Sequence, residues 1–148
     1  MEKQHILLHL ESLQTQAGET QRVEQDLSGT LTLLENGWAV SYHEPEDSGL
    51  GESVTTLTAA PGKVILDRKG ETACRMVFRE GRQTMGDYAS PYGRFDLDVF
   101  TRKVSATLDA GEGKIELRYA LSLAGGEPGE TQMTLTFTRA RERTEKGK

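Results

Sequence analysis

The chain has 148 residues, 28% of them charged and 35% hydrophobic, with one cysteine and a formal net charge of −5. That is one ordinary domain, able to bury about 70% of its unfolded surface without staples, and it excludes an internal disulfide framework, a multi-cysteine metal site and a membrane-spanning apolar run. The last ten residues carry five basic and two acidic side chains, so the body before them holds 13 basic and 21 acidic ones, a net −8 that repels phosphate backbones and argues against nucleic acid as a partner.

Taken in chain order, the elements read as strands. Met1-Glu-Lys-Gln-His5 opens into Ile6-Leu-Leu with no long apolar core and no small-residue cleavage site, so the expected location is the cytosol. From His5 to Thr15, Ile6, Leu8 and Leu10 share one face and His5, Leu7 and His9 the other, which predicts a strand, with a short helix as the alternative. Leu31 and Leu33 alternate with Thr30 and Thr32; Glu35-Asn-Gly37 then turns the chain into Trp38, Val40 and Tyr42. Strands follow from Glu52 to Ala59, Lys63 to Asp67, Thr72 to Arg79 and Arg82 to Tyr88, separated by Pro61-Gly62, Lys69-Gly70 and Glu80-Gly81. Pro91-Tyr-Gly93 opens a long strand from Arg94 to Leu108. In it Phe95, Leu97 and Val99 have one parity and Val104, Ala106 and Leu108 the other, so a bulge or sharp bend is expected near Phe100-Thr101. Ala110-Gly-Glu-Gly113 leads into the clearest alternation, Ile115, Leu117, Tyr119, Leu121 and Leu123. Ala124 to Gly129 turns that strand into Met133, Leu135 and Phe137.

These are roughly nine or ten strand-like segments with turns every eight to fourteen residues, the spacing of an all-β barrel or sandwich. A meander this long leaves two unpaired edges unless it closes. The expectation is therefore all-β: a single closed antiparallel up-and-down β-barrel of about 8–10 strands whose first strand meets its last. Residues 1–138 form the expected domain and residues 139–148 a charged, flexible tail.

A specific set of residues carries a family likeness: Gly29, Gly37-Trp38, Ser41-Tyr42-His43-Glu44, Gly51 with Thr55-Thr56, Gly70, Phe78 with Gly81, Tyr88-Ala-Ser-Pro-Tyr-Gly93, Thr101, Leu117 and Tyr119. In these the chain resembles the YwiB-like family of small bacterial proteins, a domain of unknown function (number 1934), over His5 to Thr138. Ser90 stands where the family pattern resembles Tyr-x-Thr-Pro-aromatic-Gly, and it keeps the hydroxyl. The resemblance implies a lipocalin-type, calycin-like barrel. Its motifs are structural glycines and aromatics, so it supplies no activity and no catalytic residue.

The residues themselves assign no catalytic group, metal site or cofactor. His5 and His9 share a face but lie about 13 Å apart along a strand, too far to hold one metal, and His43 stands alone near a hairpin end. Cys74 shares the parity of Met76 and Phe78, which reads as a small buried hydrophobe, although Arg75 beside it could lower a thiol pKa. Asp96 and Asp98 share a face about 7 Å apart, the spacing of an inverting hydrolase pair and equally of a solvent-facing strand. The glycine-rich stretches are hairpin turns, since neither joins a strand to a helix.

The aromatic and sulfur set suits a pocket or a filled core. It comprises Trp38, Tyr42, Met76, Phe78, Tyr88, Tyr92, Phe95, Tyr119, Met133 and Phe137, and Trp38, Tyr42, Met76, Phe78, Tyr88 and Tyr119 are the expected ligand-binding residues. Three functions follow. The first is a binding module that holds a small, mostly apolar ligand in the barrel, oriented by the hydroxyls of Tyr42, Tyr88 and Tyr119. The second is a structural or interaction barrel with a filled core, acting through its surface as a homodimer. The third is a haem-dependent or isomerase-like enzyme.

Overall fold

The computed structural model describes residues 3–46, 49–110 and 112–140. Among the described residues the chain forms ten strands, most of them marked by alternation of apolar and polar side chains: β1 (Lys3–Gln16), β2 (Glu19–Leu34), β3 (Gly37–His43), β4 (Ser53–Ala60), β5 (Lys63–Gly70), β6 (Ala73–Phe78), β7 (Gln83–Ser90), β8 (Gly93–Asp109), β9 (Glu112–Leu123) and β10 (Gly129–Arg139). Each pairs antiparallel with its chain neighbours, and β1 also pairs with β10, with Leu8 opposite Phe137 and Leu10 opposite Leu135. The meander therefore closes into a barrel, as the edge argument predicts. No helix among the described residues is long and apolar enough to cross a membrane. Strand β10 runs through Arg139, and the Ala140 N–H donates to the His5 carbonyl at 2.9 Å. The remainder of the expected tail, from residue 141 on, lies outside the described residues.

The strands fall into two sets. β1, β2 and β8 have 14, 16 and 17 residues, and β9 and β10 have 12 and 11. β3 to β7 have between 6 and 8. The first half of β2 carries no alternation in its sequence, because it is polar on both faces. It is a strand nonetheless, because Ala17 (φ 54°) and Gly18 (φ 80°) make a tight mirror-image turn that holds it against β1. Antiparallel order puts the loops after β1, β3, β5, β7 and β9 at one end, here the upper end, and the other loops at the lower end.

Among the described residues, twelve large side chains are buried to less than 2% exposure and fill the middle and lower barrel: Phe78, Phe137, Ile6, Leu31, Leu57, Leu66, Ile115, Leu117, Leu135, Val40, Val64 and Val99. Phe137 packs on Trp38 with ring centroids 5.5 Å apart, and its ring also lies where a Cβ on Gly113 would stand. Gly113 is therefore the seat of that ring, an aromatic covering a strand glycine. The expected side-switch in β8 is a bulge between Thr101 and Lys103. Leu97, Val99 and Thr101 are buried before it, and Val104, Ala106 and Leu108 pack against the core after it. The β6–β7 turn pins the bulge: the Gly81 N–H donates to the Thr101 carbonyl at 2.7 Å, and the Val104 N–H donates to the Glu80 carboxylate at 3.1 Å. Released from the ladder, Arg102 makes a two-pronged contact with Glu130 at 3.0 and 2.7 Å.

Candidate functional site

The interior changes character toward the upper end. One row of inward-facing residues crosses consecutive strands by direct cross-strand pairing: Gly29 with Tyr42, Tyr42 with Thr55, Thr55 with Arg68, Arg68 with Cys74, Cys74 with Tyr88, and Tyr88 with Phe95. Parity dictates this. Val64 and Leu66 are buried on β5, and Arg68 is the next residue of that stripe, so the strand carries a guanidinium inside the wall.

Arg68 is held rather than free. Its Nε donates to Thr55 Oγ1 at 3.0 Å, and its Nη2 lies 3.5 Å from Glu44 Oε2. Thr55 Oγ1 donates in turn to the same Glu44 oxygen at 2.5 Å. The Arg68 and Glu44 side chains are 14% and 5% exposed. An arginine and a glutamate this deep are uncommon, because the desolvation of both charges offsets their attraction.

The neighbouring titratable groups register the low polarity of the place. Burial pushes the Tyr42 phenol far above its ordinary value, and the Glu44 carboxylate pushes it the same way; Arg68 and a hydrogen bond with Thr55 act in opposition. Burial pushes Tyr119 up to about 12, against hydrogen bonding with Thr131. The Cys74 thiol is raised by burial, with Arg68 opposing. Neutral Tyr42, neutral Tyr119 and a protonated Cys74 therefore surround one guanidinium.

Of the expected ligand-binding residues, Tyr42, Tyr88 and Tyr119 lie at this polar end. Phe78 reaches it from the core, its ring 4.7 Å from that of Tyr119. Met76 is buried beside Cys74 on β6. Trp38 is not brought to them; it sits with Phe137 at the lower end. Tyr92 of the wider aromatic set is 94% exposed at the tip of the β7–β8 hairpin, because the turn carries it past the rim. Arg68, Glu44 and Thr55 did not figure among the expected site residues. The signal for Arg68 was its parity with Val64 and Leu66, hidden because a charged residue at a strand end ordinarily faces water.

Two open hollows reach members of this group from outside. One, of about 650 Å³, is lined by His43, Glu44 and Glu46, by Gly51 to Val54 and by Lys69 to Glu71. The other, of about 360 Å³, is lined by Gln14 to Gln16 and by Tyr119, Leu121, Thr131 and their neighbours. Tyr88, Leu121 and Met133 are partly buried apolar groups packed on the core. Elsewhere, His43 is exposed at the end of β3. Asp98 accepts a hydrogen bond from Gln83 at 2.9 Å on the outer face. Among the described residues no group of three or more His, Cys, Asp or Glu side chains is placed to hold a metal ion.

Known proteins share this architecture. The chain is 26% identical over 132 residues to the uncharacterized beta-barrel protein YwiB of Bacillus subtilis (strain 168), covering 89% of this chain and 92% of that one. The crystal structure of the ywiB protein from Bacillus subtilis superposes with a TM-score of 0.84 at 25% identity, covering 94% of each chain. The family model described as Domain of unknown function (DUF1934) matches residues 8–135, and the chain belongs to that family.

Proposed function

We propose that the barrel is a binding module for a small, mostly apolar ligand whose single anionic or hydrogen-bond-accepting group meets Arg68 at the upper end. The observation that carries this reading is the guanidinium itself, 14% exposed inside the barrel wall, with Nε bonded to the Thr55 hydroxyl and Nη2 beside the Glu44 carboxylate. The twelve filled core positions occupy the middle and lower barrel, so the ligand seat is the upper end alone. There the Tyr42, Thr55 and Tyr119 hydroxyls orient the polar group, and Tyr88, Leu121 and Met133 offer apolar surface to the rest. A planar guanidinium suits a carboxylate, sulfonate or phosphate, because its fork of donors matches two oxygens at once. Exposed charged residues along the outer faces, such as Lys114 and Arg118 on β9, support an aqueous location.

Two measurements test the proposal. Native mass spectrometry of protein purified without denaturant should show a bound small molecule. Anilinonaphthalene sulfonate, which joins a sulfonate to an apolar ring system, should bind the folded protein with enhanced fluorescence, and Arg68→Met should weaken that binding at least about tenfold. Binding that is unchanged in folded Arg68→Met, together with a bare protein in the mass spectrum, would overturn the reading.

A further inference from the structure

The barrel closes, yet its long strands outrun their short neighbours: among the described residues β7 pairs with β8 only as far as Phe100, and β2 keeps a longer bare edge. β3 pairs with β2 only from Gly29 to Leu34. From residue 19 to 28, β2 is paired to β1 on one side, and among the described residues no strand is paired to it on the other. The two turns flanking β2 fix which groups point that way. Gln16 and Glu19 flank a two-residue turn and pair with each other, as do Leu34 and Gly37. Residues that flank such turns exchange both of their backbone hydrogen bonds. The odd-numbered residues of β2 therefore bond to β1, and Thr20, Arg22, Glu24, Asp26 and Ser28 present N–H and C=O groups at the open edge. The side chains of these five residues are exposed as well.

We propose that this edge pairs antiparallel with the same edge of a second copy of the chain, about a two-fold axis at Val23. The charges select that register. With the axis at Val23, Arg22 stands opposite Glu24 of the second copy, twice by symmetry, and Thr20 stands opposite Asp26. Moving the axis to Arg22 or to Glu24 places two arginines or two glutamates face to face, and moving it to Gln25 sets Glu24 against Asp26. Like charges directly opposite on a sheet are unfavourable, and opposite charges favourable. An axis between two residues would set an edge-facing backbone group against one turned away, which the ladder pattern forbids.

The outer face already carries the matching network. Arg22 contacts Glu11 and lies 3.7 Å from Glu24; His9 donates to Asp26 at 2.8 Å and lies 3.1 Å from Glu24. The three carboxylates are answered within one chain by Arg22 and His9, and pairing brings the second copy's Arg22 to Glu24. The contact is self-complementary and closes on itself, which limits the assembly to a dimer. A single shared ladder is a small interface, so association is reversible.

Sedimentation equilibrium on the whole chain, at concentrations up to on the order of 1 mM, tests this. The expected result is a monomer–dimer equilibrium weakened at least about tenfold by Glu24→Arg and by Arg22→Glu separately, and restored to within about threefold of the parent by the two together. Both residues are on the surface, so each single variant should stay within a few degrees of the parent melting temperature and the double swap should match it. Amide hydrogen exchange gives a second, independent readout: the N–H groups of Arg22, Glu24 and Asp26 should gain protection with concentration. A strictly monomeric protein would overturn the proposal and leave the charges as guards of a lone edge. So would a dimer indifferent to the charge swap, or edge amides protected only when a foreign strand-forming peptide is added.

Discussion

Removing Arg68 by Arg68→Met leaves the Glu44 carboxylate, with its side chain 5% exposed, facing one hydroxyl and no cation among the described residues. Breaking a buried ion pair on one side costs roughly 3–5 kcal/mol, because the remaining charge keeps its desolvation cost and loses its partner. The Arg68 side chain retains 14% exposure, which lets water screen part of the loss and places the cost near the lower bound, about 3 kcal/mol. For a chain of this length that is a fall in melting temperature of about 6–12 °C. Replacing both partners, as Arg68→Met with Glu44→Leu, removes the charges together and should return stability to within about 1–2 kcal/mol of the parent. The deficit that remains is the loss of two partners by the Thr55 hydroxyl. Equilibrium unfolding in urea with a common slope measures the cycle. A coupling energy of at least about 2 kcal/mol between the sites is expected. Single substitutions that cost under about 1 kcal/mol, or that simply add in the double variant, would refute the reasoning. If the double variant is stable yet has lost the sulfonate probe, the ion pair serves binding rather than folding.

Gly113→Ala puts a methyl group into the Phe137 ring, and in a filled core this should cost about 1–3 kcal/mol, readable as a lower urea midpoint at unchanged slope. His9 has its pKa raised above 6.5, chiefly by its hydrogen bond to Asp26. Its stabilisation is therefore fully present below pH 6.5 and disappears as pH rises through the folded-state value, whereas His9→Gln should flatten that part of the stability–pH curve. Tyr119 is raised to about 12 from 10.0 and Tyr42 is raised further. The folded state thus favours neutral phenols, and stability should be retained below pH 10 and fall as pH climbs toward 12, with part of the phenolate absorbance appearing only on unfolding. Cys74 is buried with a raised thiol pKa, so a thiol reagent at neutral pH should label it at the rate of opening of the barrel and rapidly only in denaturant.

The alternation that predicts this barrel is strongest where one face is dry. Ile115, Leu117 and Tyr119 declare β9 because the strand has one buried side and one wet side. The bulge in β8 is equally visible, since Val99 and Val104 cannot share a face without an extra residue between them. The early half of β2 is silent because both of its faces are polar; a turn and a ladder to β1 make it a strand, and neither is a property of its own side chains. The candidate site is half legible for the same kind of reason. Tyr42, Tyr88 and Tyr119 stand out as amphipathic aromatics on inward stripes. Trp38 reads identically in the sequence, yet the direction of β3 carries it to the opposite end of the barrel. Arg68 follows the inward parity of Val64 and Leu66, but only the closed wall and the Glu44 and Thr55 partners show that a guanidinium is tolerated there.

The most direct measurement is nuclear magnetic resonance of isotopically labelled protein titrated with anilinonaphthalene sulfonate. Shifts should concentrate on the Arg68 Nε–H and on the amides of Tyr42, Thr55, Cys74 and Tyr88, the row that crosses the upper barrel, and Arg68→Met should abolish them. Shifts confined to the outer faces or to the lower end around Trp38, or an unperturbed Arg68 at saturating probe, would contradict a ligand seat built on that guanidinium.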